Sequence, residues 1–179
     1  MKDPVLIVPY DPAWPGQFRR IGLELRRIFK EAAIRIDHIG STSVPGLDAK
    51  PVIDVQISVR QLDDAYIDRL EAAGWIYRKD NPDLSKRYFR EPLGCPRVHI
   101  HVREQGSWSE QLSLLFRDYL RAHSEDCSRY AKHKYELMKL YPSQRTKYIE
   151  QKGPPIWEIL QRAHVWSQLT GWKPGESDC

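Results

Sequence analysis

The segment from His38 to Val59, HIGSTSVPGLDAKPVIDVQISV, limits the possible folds more than any other part of this 179-residue chain. Pro45, Gly46 and Pro51 deny it a long helix, because proline lacks the amide hydrogen that a helix interior uses and glycine loses the most freedom there. The chain must therefore turn after residues 34–39 and re-enter as a strand over 52–59. In that strand Ile53, Val55, Ile57 and Val59 alternate with Asp54, Gln56 and Ser58, the period of two that marks a strand with one face buried. Asp54 is thereby expected on the face away from the core. Between the strands stand Gly40, Ser41, Thr42 and Ser43, small residues whose backbone N–H groups can meet an anion. The turn is a candidate phosphate cradle, although such a string is more often only a turn.

Ahead of this unit, Asp11 and Pro12 fit an N-cap followed by proline at the first helical position. Trp14, Phe18, Ile21, Leu25, Ile28 and Phe29 then recur at three- and four-residue steps. This predicts a helix with one buried stripe and Arg19, Arg20, Arg26, Arg27 and Lys30 in solvent. Beyond the unit, Asp63 and Asp64 open a helix through Ala73 that Gly74 ends. Residues 75–78, 86–90 and 98–102 predict short neighbouring antiparallel strands, the last with His99 and His101 together on the face opposite Val98, Ile100 and Val102. From Ser107 onward the pattern is helical. Ser107 and Glu110 are spaced as a capping box, Ser124 can cap a second helix, and Pro142-Ser143 starts a third that Gly153-Pro154-Pro155 interrupts. Residues 171–179 are polar and are expected to be a flexible, frayed tail. The expected fold is α+β: one domain over 1–170, with a mixed or antiparallel sheet in about 1–105, helices on one face of it, and a C-terminal helical bundle over 107–170.

With 41% hydrophobic and 29% charged residues the chain has a globular composition, and no apolar run nears the roughly 20 residues that span a bilayer. No membrane partner is expected. The opening MKDPVLIVPYDP lacks the apolar core of a signal peptide, which predicts a cytoplasmic protein. Cys95, Cys127 and Cys179 are scattered and odd in number, as suits a reducing compartment, and they receive no role. A net charge of +4 favours anionic ligands but is not the footprint of a nucleic-acid binder.

Asp54 on one strand and His99 with His101 on another are the groups that could perform chemistry. One carboxylate beside two imidazoles suits Mn²⁺, Fe²⁺ or Zn²⁺ better than Mg²⁺, which prefers oxygen ligands. Paired histidines at alternate strand positions are also common as polar residues satisfied under a helix. His38 fits a hydrogen-bonding orienter rather than a ligand. Lys50, Lys86, Arg87 and Arg90 lie beside the proposed sheet site as anion partners, while most cations after Gln111 belong to solvated helix faces.

A Gly-Ser turn followed, after an irregular spacer, by a strand bearing Asp resembles the signature of the nucleotidyltransferase superfamily. The fuller string HIGSTSVPGL…AKP.ID, with VPYDPAW..QF, RVHIHV, LLFRDYLRAH and the late Tyr148…Lys152, resembles the GrpB family of small bacterial proteins, over roughly Ile7 to Trp166. That resemblance implies a nucleotidyltransferase-like fold in which carboxylates on adjacent strands hold a divalent metal against a nucleoside triphosphate. It implies metal and catalytic roles for Asp54, His99 and His101, and nucleotide or phosphate contacts from Gly40, Ser41, Thr42 and Ser43, to which Lys50, Arg87, Lys134, Tyr148 and Lys152 are expected to add. It also marks Lys134, Arg145, Tyr148 and Lys152 as recurring positions of the family. The implied cofactor is Mn²⁺ or Mg²⁺, with Zn²⁺ or Fe²⁺ as alternatives; the acceptor is not specified. The sequence departs from the superfamily where Gln56 stands two residues after Asp54 in place of a second acid. Three functions follow: a metal-dependent nucleotidyltransferase-like enzyme, a nucleotide- or phosphometabolite-binding module without turnover, and a two-His-one-carboxylate iron site.

Overall fold

The alternating segments pair as one five-stranded mixed sheet in the computed structural model, which describes residues 4–179. Strands β1 (Arg35–Ile39), β2 (Ile53–Val59), β3 (Ile76–Tyr77), β4 (Lys86–Arg90) and β5 (Val98–Glu104) lie in the order β1-β2-β5-β4-β3. β2 and β5 run parallel at the centre, and the outer pairs are antiparallel. The central register sets Asp54 opposite His99 and Gln56 opposite His101, so the period of two puts all four on one face.

The other face is the apolar one. Helix α1 (Trp14–Phe29) packs Trp14, Phe18, Leu25 and Phe29 on Val55, Ile57, Phe89, Ile100 and Val102, and Leu70 of α2 (Ala65–Ala72) joins the same core. Burying a side chain of this size is worth about 1.5–3 kcal/mol, which is why this stripe sets the helix against the sheet. α1 begins two residues after Pro12: the Asp11 carboxylate accepts the Ala13 N–H at 2.8 Å, and the helix proper starts at Trp14. α2 ends where expected. Gly74, at φ +90°, lets the Gly74 and Trp75 amides turn back to the Glu71 and Leu70 carbonyls.

Helices α3 (Trp108–Ala122), α4 (Ser124–Leu140) and α5 (Arg145–Thr170) form the C-terminal helical part. α3 reaches over the polar face of β2, so that strand is not half-buried as its alternation suggests. Gln56 and Ser58 are both 0% exposed. Gln56 donates to the Glu110 backbone carbonyl at 3.2 Å and the Ser58 hydroxyl donates to the Glu110 carboxylate at 2.7 Å. Glu110 is consumed there, and by the Gly106 amide, so the capping box with Ser107 does not form. Ser124 is the first residue of α4 and caps nothing with its side chain.

α5 runs through Pro154 and Pro155 without the interruption expected at Gly153. The two prolines withdraw the amides that would meet the Glu150 and Gln151 carbonyls. The His133 ring lies 3.5 Å from the Gln151 carbonyl, and Glu150 is exposed to water. Residues 171–179 are not frayed either; 175–179 run along β1. Ser177 Oγ accepts the Ile36 amide at 2.8 Å and Asp178 Oδ2 accepts the His38 amide at 2.9 Å, while the Cys179 amide donates to the Ile36 carbonyl at 3.1 Å. Arg35 holds the Gly175 carbonyl and Arg117 the Asp178 carboxylate. An unpaired strand edge flanked by two arginines supplies partners that the tail's composition does not reveal. No helix among the described residues is long and apolar enough to cross a membrane.

Candidate functional site

Asp54 lies at the open end of β2, short of the stretch that α3 covers. Its Oδ1 is 2.9 Å from His99 Nδ1 and 3.6 Å from His101 Nε2. One donor atom from each residue lies within 4.8 Å of the other two, a spacing that accommodates a cation about 2 Å from each. The second nitrogen of each ring, His99 Nε2 and His101 Nδ1, is buried without a hydrogen-bond partner. Such atoms are costly to leave unmet, and metal ligation is one way to meet them. Burial opposes ionisation of Asp54, but hydrogen bonds from His101 and His99 outweigh it and hold the carboxyl well below its ordinary range. Burial pushes the His101 pKa down against the pull of Asp54. An ionised carboxylate beside a neutral imidazole is the state a metal ligand must be in.

Gly40 makes this approach possible. At φ 70°, ψ −173° it occupies a region open essentially to glycine alone, and a Cβ there would sit 2.6 Å from Asp54 Oδ2. Ser41, Thr42 and Ser43 form a single 3-10 turn, and only part of it faces the ligand space. Ser43 donates to the Gly40 carbonyl at 2.6 Å, while its own carbonyl takes two N–H groups of Arg121; it does not line the cavity. Thr42 lines the cavity but spends its proton on the Val52 carbonyl. His38 Nε2, 3.0 Å from Thr42 Oγ1, must therefore carry the proton it shares with that oxygen. Burial lowers the His38 pKa to about 4, so the ring is neutral, and it stacks on Phe18 as an orienter. The Ser41 hydroxyl makes no hydrogen bond among the described residues.

Between the open sheet face and the helical part lies a cavity of about 780 Å³. Lys50 and Arg97 enter it from the sheet side, and Lys134, Arg145, Tyr148 and Lys152 from α4 and α5. Against these five cations the lining contains one carboxylate, Asp54. Lys50 Nζ stands 4.4 Å over the Tyr148 ring, and Lys134 Nζ stands 4.6 Å over Tyr130 while donating to the Asp48 carbonyl. Burial, then the neighbouring Arg145, Lys152 and Arg97, lowers the Lys50 pKa to about 8. Burial, then Lys152, lowers that of Lys134 to about 7. Like charges held this close suit an anionic ligand that relieves their repulsion.

Of the residues singled out in the sequence, the structure brings together Gly40, Ser41, Thr42, Lys50, Asp54, His99, His101, Lys134, Arg145, Tyr148 and Lys152. Arg87 is a correction. It pairs with Val102 in the β4–β5 register, on the apolar side, and its guanidinium binds Asp64 at 2.8 Å away from the cavity. One residue along a strand reverses the face, and this arginine is one residue out of phase. Lys86 and Arg90 are in phase with the histidines, but Asp83 and Glu91 hold their charges and they do not line the cavity. Arg97 was missed, although Arg97, His99 and His101 share a period of two. Arg117 and Arg121, which donate to the His38 and Ser43 carbonyls, carried no signal beyond helical spacing. Gln56 is shut under α3, so an acid there would not face the cavity.

The family model described as GrpB protein matches residues 4–162. The chain is 36% identical over 166 residues to a UPF0157 protein of Pseudomonas aeruginosa, covering 90% of this chain and 68% of that one. It is 32% identical, over an alignment of 202 residues, to a dephospho-CoA kinase of Mycolicibacterium paratuberculosis, covering 97% of this chain but only 49% of the kinase. Its fold is similar to the crystal structure of conserved protein GrpB from Enterococcus faecalis, with a TM-score of 0.82, 31% identity, and coverage of 90% of this chain and 99% of that one. The structure of Cid1 in complex with its short product ApU is a distant likeness of fold, with a TM-score of 0.52, 13% identity, and coverage of 74% and 43%.

Proposed function

Since the chain belongs to the GrpB family and its fold is distantly similar to that of the nucleotidyltransferase Cid1, we propose that it binds a nucleoside triphosphate with a divalent metal and transfers the nucleotidyl group to an acceptor hydroxyl. The observation that carries this reading is the convergence of Asp54, His99 and His101 at a cavity edged by the Ser41 turn and five cations. Asp54, His99 and His101 would hold the metal, and the mixed donor set favours Mn²⁺ among the candidates. When bound, such a metal neutralises charge on phosphate oxygens and on the leaving pyrophosphate. The chain's own groups do the rest. Ser41 and the turn amides take phosphate oxygens, and Lys50, Lys134, Arg145 and Lys152 offset the remaining charge. The acceptor oxygen would bond to the α-phosphorus, pyrophosphate would leave, and the acceptor proton would pass to solvent or to the departing pyrophosphate, because a neutral imidazole that ligates metal through one nitrogen keeps its proton on the other.

Calorimetry with ATP, CTP, GTP and UTP, with and without Mn²⁺, tests this reading. Mn²⁺ should strengthen binding in the native chain and the gain should be lost in Asp54→Ala; equal heats for the two proteins in Mn²⁺ would defeat it. A second reading, a nucleotide-binding module without turnover, is favoured by the burial of Gln56 under α3, which leaves one carboxylate at the site. Labelled triphosphate incubated with cell extract separates the two, since pyrophosphate release excludes a pure binder.

A further inference from the structure

Resting on the nucleotide reading, we infer that the site recognises its ligand by phosphate plus a single apolar platform, and so does not select among the four nucleobases. The cavity has two unlike halves. One is the cluster of cations around Lys50, Lys134 and Lys152. The other is formed by Leu112 and Phe116 of α3 and by Ile149, Ile156 and Leu160 of α5. The halves adjoin at Tyr130, which lies 4.6 Å from Lys134 Nζ on one side and meets Phe116 edge to face, at 5.7 Å between centroids, on the other, and along α5, where Lys152 stands between Ile149 and Ile156. A ligand with phosphates on the cations reaches the apolar half with the next planar group it carries.

Selecting a base requires donors and acceptors aimed at its edge. Sites built that way reject the wrong ligand by about 10⁴- to 10⁵-fold, whereas apolar surface alone discriminates by about 10- to 200-fold for a whole methylene and has less to act on between flat rings of similar polarity. The apolar half contains one polar side chain, Ser113, and its hydroxyl donates to the Ser109 carbonyl at 2.9 Å within its own helix. The backbone groups of Leu112, Phe116, Ile156 and Leu160 lie within helices, where most are engaged in helical hydrogen bonds. No asparagine or glutamine lines the cavity. What remains is a surface of aliphatic and aromatic carbon, and every base has a face that stacks on such a surface.

The test is calorimetry of the native chain, with Mn²⁺, against ATP, GTP, CTP, UTP and inorganic tripolyphosphate. The four nucleotides should bind within about threefold of one another and about tenfold more tightly than tripolyphosphate, the difference being the contribution of stacking. Phe116→Ala should bring all four down together to about the tripolyphosphate level and leave tripolyphosphate unchanged; Leu112→Ala serves if that variant does not fold. A preference of more than about tenfold for one base overturns the inference. Binding of tripolyphosphate with no gain from any nucleoside overturns the platform alone and leaves the anion site standing. Failure of nucleotide and tripolyphosphate alike overturns the nucleotide reading, and this inference with it.

Discussion

The two walls of the cavity are held by different means. On the sheet wall, Asp54, His99 and His101 are placed by strand ladders that give each residue a fixed partner on either side, and Gly40 lets the turn close against the carboxylate. On the helical wall, Lys134, Arg145, Tyr148 and Lys152 stand on helices that pack on α3 and on each other. α3 is tied to the sheet through Arg117 and Arg121, and α4 through the hydrogen bond from Lys134 to the Asp48 carbonyl. The wall fixed by backbone carries the groups that need exact geometry, the metal ligands. The wall fixed by side chains carries charge, which acts over several ångströms and tolerates adjustment.

The largest effect is expected on the sheet wall. Gly40→Ala places a Cβ against Asp54 in a backbone region that only glycine enters freely. It should cost about 1–3 kcal/mol in denaturant unfolding and abolish Mn²⁺ binding in a metal titration. Retained metal affinity would show that the wall yields, and the contrast between the walls would go. Next comes the charge of the helical wall, read with metal-free tripolyphosphate. Burial holds the Lys134 and Lys50 ammonium groups near pKa values of about 7 and about 8. Lys152, Cys127 and Asp48 face the first, and Arg145, Lys152 and Arg97 the second. Both lysines are charged at lower pH and lose the proton as pH rises through those values, so affinity should fall by about tenfold across that window. Lys134→Met should remove the lower of the two steps, and a flat profile would remove these lysines from the anion site. The smallest effect is a control on the opposite face. Arg87→Ala breaks an exposed pair with Asp64 and should leave tripolyphosphate affinity unchanged, with stability moving by no more than about 0.5 kcal/mol.

The same contrast explains what could be read from the sequence. Strand alternation places a side chain on one of two faces, so Asp54, His99 and His101 could be assigned from the period of two before any coordinates existed. Arg97 was legible by that rule and Arg87 was excluded by it. A helix offers more than two directions, and its stripe says which side is buried without saying in what. Lys134 is 2% exposed and Tyr148 is 2% exposed, yet no spacing in α4 or α5 separates them from the solvent-facing lysines nearby; only the resemblance marked them. Gln56 and Ser58 looked solvent-facing because alternation cannot report that α3, whose Glu110 lies 54 residues beyond Gln56, returns to cover them. Pro154 and Pro155 looked like a break because a propensity carries no information about the rest of α5 continuing the helix on both sides of them.

Residues 175–179 matter beyond the cavity. β1 is an outer strand, and an outer strand with free amides is a template on which another molecule's strand can grow. At the far rim the sheet ends in β3, only two residues long, which offers little to pair with. Along β1, Ser177 and Asp178 satisfy those amides with side-chain oxygens, and the chain itself lies where a foreign strand would dock. The segment whose composition suggests a frayed end thus occupies the rim on which a second copy's strand would otherwise pair.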